Sequence, residues 1–129
     1  MVDILLDTNI VIYAFEGHPT YMHFLRTIAD EQIGISVISY MEMLVGARDD
    51  QDARAIQSFM RDFDVIPLSV GIADDSAATF RKRKHKSLRR PWFADTIIAQ
   101  TALSMGVRLA TNNPKDFAMF SGLKIVVPE

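Results

Sequence analysis

Apolar residues along this chain follow two rhythms that alternate: short unbroken runs, and stripes at helical spacing. Ile4, Leu5 and Leu6 form an unbroken run that predicts a buried strand. Residues 8–15 then predict a short helix, stopped by Gly17 and Pro19. Thr20 is a candidate cap for the next helix, where Tyr21, Phe24, Leu25 and Ile28 fall at i, i+3, i+4 and i+7. Residues 33–38, rich in β-branched side chains, predict the second strand, followed by a helix from Ser39 to about Gly46. A further helix is expected over 52–63, with Ile56, Phe59, Met60 and Phe63 facing inward. Residues 65–68 predict a third strand, and 72–86 a helix that runs into a stretch closed by Pro91.

The helix expected over 92–105 has Ala94, Ile97, Ile98, Thr101, Ala102 and Met105 on its inner face, with Gly106 as its stop signal. Residues 107–110 predict a strand, Asn113-Pro114 opens a short helix, and 125–127 form a last strand. Strands alternating with helices predict an α/β fold: a three-layer α/β/α sandwich around a small, mostly parallel sheet of four to five strands. No repeat and no linker divides the chain, so residues 1–129 are expected to form a single domain.

Composition narrows the chemistry. Cysteine is absent, which removes disulfides, thiolate zinc sites and a cysteine nucleophile. No apolar run approaches the roughly 18–20 residues needed to cross a bilayer. No basic stretch precedes an apolar one at the amino terminus. A soluble cytoplasmic protein is the expectation. The net charge of −2 conceals a segregation: seven of the 14 Lys and Arg residues lie between Arg81 and Arg90, with no acid among them. The remaining chain carries 7 cations against 16 acids, a net charge of −9, so one part suits a cation and the other a polyanion.

Four acids stand just after a strand or early in a helix leading away from the same sheet edge. Asp7 ends the first strand, at the carboxyl edge where parallel sheets bind ligands, although Asp is also a favoured helix cap. Glu42 follows Ser39 by three residues, which a capping box alone would explain. Asp95 shares a helix face with Ile98, Ala99 and Ala102, where a carboxylate is costly unless paired or bound to a metal. Asp116 follows Asn113-Pro114 at the third helical position, favoured there by the helix dipole whatever its function. Gathered at one edge, the four would repel one another, and a hard divalent cation such as Mg²⁺ or Mn²⁺ would relieve that repulsion through oxygen ligands. His18, His23 and His85 have no metal-ligand spacing.

The stretches around these acids resemble the motifs of the PIN-domain ribonucleases, in order and at the right intervals over nearly the whole chain. They are Leu5-Leu6-Asp7-Thr8-Asn9, Ser39-Tyr40 with Glu42 and Leu44, Asp95-Thr96-Ile97-Ile98-Ala99, and Thr111-Asn112-Asn113-Pro114-Lys115-Asp116-Phe117. In size and in the last motif the chain is most similar to the VapC-type toxins of toxin–antitoxin pairs. The resemblance implies a PIN-like sandwich and Mg²⁺- or Mn²⁺-dependent RNA cleavage. It implies Asp7, Glu42, Asp95 and Asp116 as catalytic and metal-binding acids, with Thr8, Asn9, Ser39, Thr111 and Asn113 orienting ligands or water around them. A homodimer and a cognate antitoxin are the partners it implies.

For the basic segment, contact with RNA is the expectation, through Arg81, Arg83, Lys84, Lys86, Arg89 and Arg90. A solvated helix end, or a seat for an acidic stretch of an antitoxin, are the alternatives. Trp92 and Phe93 are able to stack on a base, but packing in the core is the expectation for both. Met22, Met41 and Met60 are expected to pack at helical spacing, and Met43, Phe80 and Tyr13 to be core or interface residues. Two other function classes compete: a PIN-like domain that binds RNA or a partner without cutting, and a phosphotransfer domain with Asp7 as nucleophile. The second lacks the acid its pattern wants at position 9, which is Asn9.

Overall fold

The computed structural model describes residues 1–82 and 90–129, with Arg90 and Pro91 described in their backbone alone. Five strands form one sheet: β1 (Ile4–Leu6), β2 (Ile33–Ser36), β3 (Asp64–Ile66), β4 (Arg108–Ala110) and β5 (Ile125–Val126), in the order β3-β2-β1-β4-β5. All four pairings are parallel, with Leu5 opposite Gly34 on one side and Leu109 on the other. The expected sheet is therefore present and parallel throughout.

The period-2 alternation of β1 sorts its side chains between two layers. Ile4 and Leu6 join Ile35, Ile10, Val11, Phe24, Ile56 and Met60 under α1 (Thr8–Phe15), α2 (Pro19–Thr27), α3 (Val37–Val45) and α4 (Asp50–Met60). Leu5 turns the other way, onto Leu109, Ile98, Ala99 and Ala102, the inner face of α6 (Arg90–Met105). Helix α5 (Val70–Lys82) packs against α6. These are the three expected layers. Inside α6 the buried Thr96 and Thr101 hydroxyls donate back to the carbonyls of Trp92 and Ile97, at 3.0 and 2.7 Å, so neither burdens the core with an unpaired polar group. Gly106 follows the helix at φ +67°, the left-handed stop its sequence predicts.

Several boundaries differ from expectation for local reasons. Helix α2 starts at Pro19, with His18 rather than Thr20 at the cap, because proline suits the first helical position. Helix α3 starts at Val37, capped by Ser36, whose Oγ accepts from the Ile38 amide at 3.1 Å. Ser39 therefore lies inside the helix, and no capping box involves Glu42. Two β-branched residues, Val37 and Ile38, extend the strand pattern past its real end. Asp95 stands in the second turn of α6, early in the helix as expected. Met60 is buried as expected, but Met22 and Met41 are 41% and 56% exposed. Phe93, expected in the core, is 39% exposed and stacks flat on Phe80, with ring centroids 5.0 Å apart. No helix among the described residues is long and apolar enough to cross a membrane.

Candidate active site

In this strand order the chain leaves β1 to one side for β2 and later returns to the other side as β4. Such a reversal opens a crevice beyond the carboxyl ends of the central strands. A cleft of about 430 Å³ lies there, lined by Asp7, Thr8, Asn9, Ile12, Glu42, Ala94, Asp95, Asn113 and Asp116. Four acids separated by as many as 109 positions in sequence thus face one space. Asp7 comes from the end of β1, Glu42 from α3, Asp95 from α6, and Asp116 from a short 3-10 helix, Pro114–Phe117.

Asp7 is 5% exposed and is the most firmly held of the four. Its Oδ1 accepts from the Thr8 amide at 2.8 Å, which caps α1, and its Oδ2 accepts from the Thr111 hydroxyl at 2.8 Å. The cap and the cleft carboxylate are the same group, so the two readings of Asp7 do not compete. Thr8 ties the next acid into place. Its hydroxyl donates to Glu42 Oε1 at 2.7 Å and lies 2.8 Å from the buried Ser39 Oγ. Since Thr8 spends its proton on Glu42, Ser39 is the donor of that second bond. Ser39 and Thr111 are thus buried braces behind the wall, while Thr8, Asn9 and Asn113 line the cleft itself. Asn113 does not cap the 3-10 helix with its side chain.

Electrostatics follow from this crowding. Burial raises the pKa of Asp7, the hydrogen bonds from Thr111 and Thr8 oppose that, and Glu42 and Asp116 add to the rise; the balance remains upward. Among the described residues Asp95 has no such relief. Burial first, then Asp7, Asp116 and Glu42, all act in one direction and push its carboxyl up to about 7. Yet among the described residues no group of three or more acids or histidines stands ready-made as a metal cage. The acids share a cleft and feel one another's charge without yet converging on a point.

Of the expected RNA contacts, Arg81 is exposed in the last turn of α5. Arg83, Lys84, Lys86 and Arg89 lie outside the described residues, as does the side chain of Arg90. Sequence reasoning overlooked two apolar wall residues, Ile12 and Ala94, because nothing distinguishes them from core positions in a helical stripe. It also overlooked Tyr21, whose hydroxyl accepts from Asn112 Nδ2 at 3.3 Å beside the turn that carries Thr111.

Comparison with known proteins agrees with the motifs. Two curated relatives, both named tRNA(fMet)-specific endonuclease VapC, are similar over nearly the full length of both chains. The one from Shigella flexneri is 28% identical, covering 96% of each chain, and the one from Salmonella typhimurium is 25% identical, covering 97% of each. Among solved structures, a toxin–antitoxin complex from Klebsiella pneumoniae is 33% identical over 98% of each chain, with a TM-score of 0.79. VapBC2 from Rickettsia felis, solved bound to a DNA fragment from its promoter, is 26% identical over all of each chain, with a TM-score of 0.81. The sequence profile of the PIN domain matches residues 4–122, from the first residue of β1 to the glycine turn before β5. Since that span takes in all four acidic motifs and the whole cleft, this chain belongs to the PIN-domain family.

Proposed function

We propose that this chain is a Mg²⁺- or Mn²⁺-dependent endoribonuclease, the cytoplasmic toxin of a toxin–antitoxin pair. The observation that carries this reading is the unrelieved crowding of acids in one cleft, expressed in the Asp95 carboxyl held up to about 7. Such an arrangement opposes folding in the absence of a counter-charge, and a polyanionic substrate would only worsen it. The donors suit a hard divalent cation: four carboxylates and the amide side chains of Asn9 and Asn113, all offering oxygen, with no softer ligand among the lining residues. Asp116, exposed on its short helix, is the acid freest to turn toward an ion held by the others.

When bound, the cation would activate water and neutralise charge developing on the phosphate. The chain supplies the rest. Thr8 and Thr111 fix the Asp7 carboxylate, Thr8 and Ser39 fix Glu42, and a carboxylate not fully engaged by the ion takes the proton of the attacking water. The names of the two curated relatives make tRNA(fMet) the first RNA to try. Purified protein should cleave it with Mg²⁺ or Mn²⁺ present, and a chelator should lower the rate by more than about 100-fold. Chelator-resistant cleavage would overturn the metal requirement. Absence of cleavage with every divalent ion tried would leave a PIN-like binding domain.

For the basic segment we propose contact with the RNA backbone. Arg89→Ala together with Arg90→Ala should weaken RNA binding and lower the slope of log affinity against log salt by about 1–1.5. An unchanged slope would count against the segment. An antitoxin is the protein partner favoured by the toxin–antitoxin complexes among the similar structures. For self-association, the exposed Met41, Val45 and Phe93, which line one depression between α3 and α6, supply an apolar face. Sedimentation of the isolated chain should give twice the monomer mass, and a monomer at micromolar concentration would remove the dimer.

A further inference from the structure

The turn Thr111–Asn113 reaches the cleft twice, through the Thr111 hydroxyl on Asp7 and through Asn113 in the lining. The Thr111 amide donates to the Val126 carbonyl at 3.0 Å, the Asn113 amide donates to Thr111 Oγ1 at 3.0 Å, and the Asn113 carbonyl accepts from the Asp116 amide at 3.0 Å. Between Thr111 and Asn113 sits Asn112, whose side-chain Oδ1 is buried with no partner among the described residues. Its amide nitrogen donates to Tyr21 Oη, from α2. Tyr21 is itself anchored, half-buried on the core and packed on Tyr13 with ring centroids 5.1 Å apart.

We propose that Tyr21 is a positioning residue of the cleft: through Asn112 it fixes the turn, and so the Thr111 hydroxyl that aims the Asp7 carboxylate. The physical reason is the poverty of alternatives. Asn112 is half-buried, and Tyr21 Oη is the partner its amide nitrogen has among the described residues, so loss of that hydroxyl sends the side chain toward water or another acceptor. Asn112 is continuous in the backbone with both Thr111 and Asn113, so the movement carries the Asp7 donor with it. The consequence for metal binding rests on the reading of the cleft given above; the consequence for the turn does not.

Tyr21→Phe removes the hydroxyl and keeps the ring on Tyr13. Hydrogen exchange of the metal-free protein should show the Asn113 amide exchanging at least about 10-fold faster, with the Leu5 and Leu6 amides of the central strand unchanged. Calorimetric titration with Mn²⁺ alone should show about 10-fold weaker binding, and kcat should fall with little change in KM. Tyr13→Phe, which keeps the ring on Tyr21 and removes no hydrogen bond to Asn112 or the turn among the described residues, should match the wild type in all three. An unchanged Asn113 amide in Tyr21→Phe overturns the proposal, as does acceleration spread equally over Leu5 and Leu6, which is loss of global stability. A wild-type chain that binds no Mn²⁺ defeats the metal reading of the cleft, and the exchange result then decides the role of Tyr21 by itself.

Discussion

Asp7→Asn is expected to lower RNA cleavage by on the order of 10²–10³-fold while leaving the protein folded. Asparagine keeps the shape and retains an oxygen for the Thr8 amide, so the cap of α1 survives. What changes is the side that meets Thr111. An amide nitrogen there confronts a hydroxyl that now donates to Asp7 Oδ2, so Thr111 must reverse its proton and accept instead. It already accepts from the Asn113 amide, so both lone pairs are then used and its proton is left without the Asp7 acceptor, which loosens the wall without undoing the core. The loss of charge is the larger effect on catalysis, since a neutral amide neither holds a hard cation well nor takes a proton. Cleavage rates beside far-ultraviolet circular dichroism separate the two. Rates within a few-fold of wild type would remove Asp7 from the chemistry.

For Asp95→Asn, activity and stability should move in opposite directions. A carboxyl that titrates near 7 in the folded chain and at 3.8 when unfolded binds its proton more tightly in the native state. Its cost to stability is absent below the unfolded value, grows as the pH rises, and is complete above about 7. Metal-free wild type should therefore be less stable at pH 8 than at pH 5 by about 1–2 kcal/mol, a figure reduced for partial screening by water. Asp95→Asn should flatten that dependence and raise Tm at pH 8 by about 3–8 °C. Added Mg²⁺ should close the gap from the wild-type side. A lower Tm for the metal-free variant at pH 8 would mean that the carboxylate is a structural partner instead.

Asp95 could be read from sequence because a charge on the Ile98, Ala99, Ala102 face is an anomaly visible within one helix. The same holds for the layers: the runs at Ile4–Leu6 and Ile33–Ser36 and the stripe of α6 each declare their own burial. Glu42 was harder, since Ser36 and Ser39 are chemically equal candidates for the cap and only the observed end of β2 selects between them. The hydroxyl braces were illegible as partners. Thr8 finds Ser39 and Glu42 across 31 and 34 positions, and Thr111 finds Asp7 across 104. Nothing in a threonine's local sequence encodes a contact made by the closure of the sheet. Exposure failed for a related reason: the helical spacing of Met41 shows which side of α3 it occupies, not whether another element covers that side.

One consequence of the order β3-β2-β1-β4-β5 concerns synthesis. The central strand is made first, but its neighbour β4 and the 3-10 helix bearing Asp116 are made almost last. A chain translated only through α6 has Asp7, Glu42 and Asp95, but neither Asp116 nor the Thr111 that holds Asp7. The cleft is therefore finished only with the carboxyl-terminal strands, and on the proposed nuclease reading cleavage awaits them.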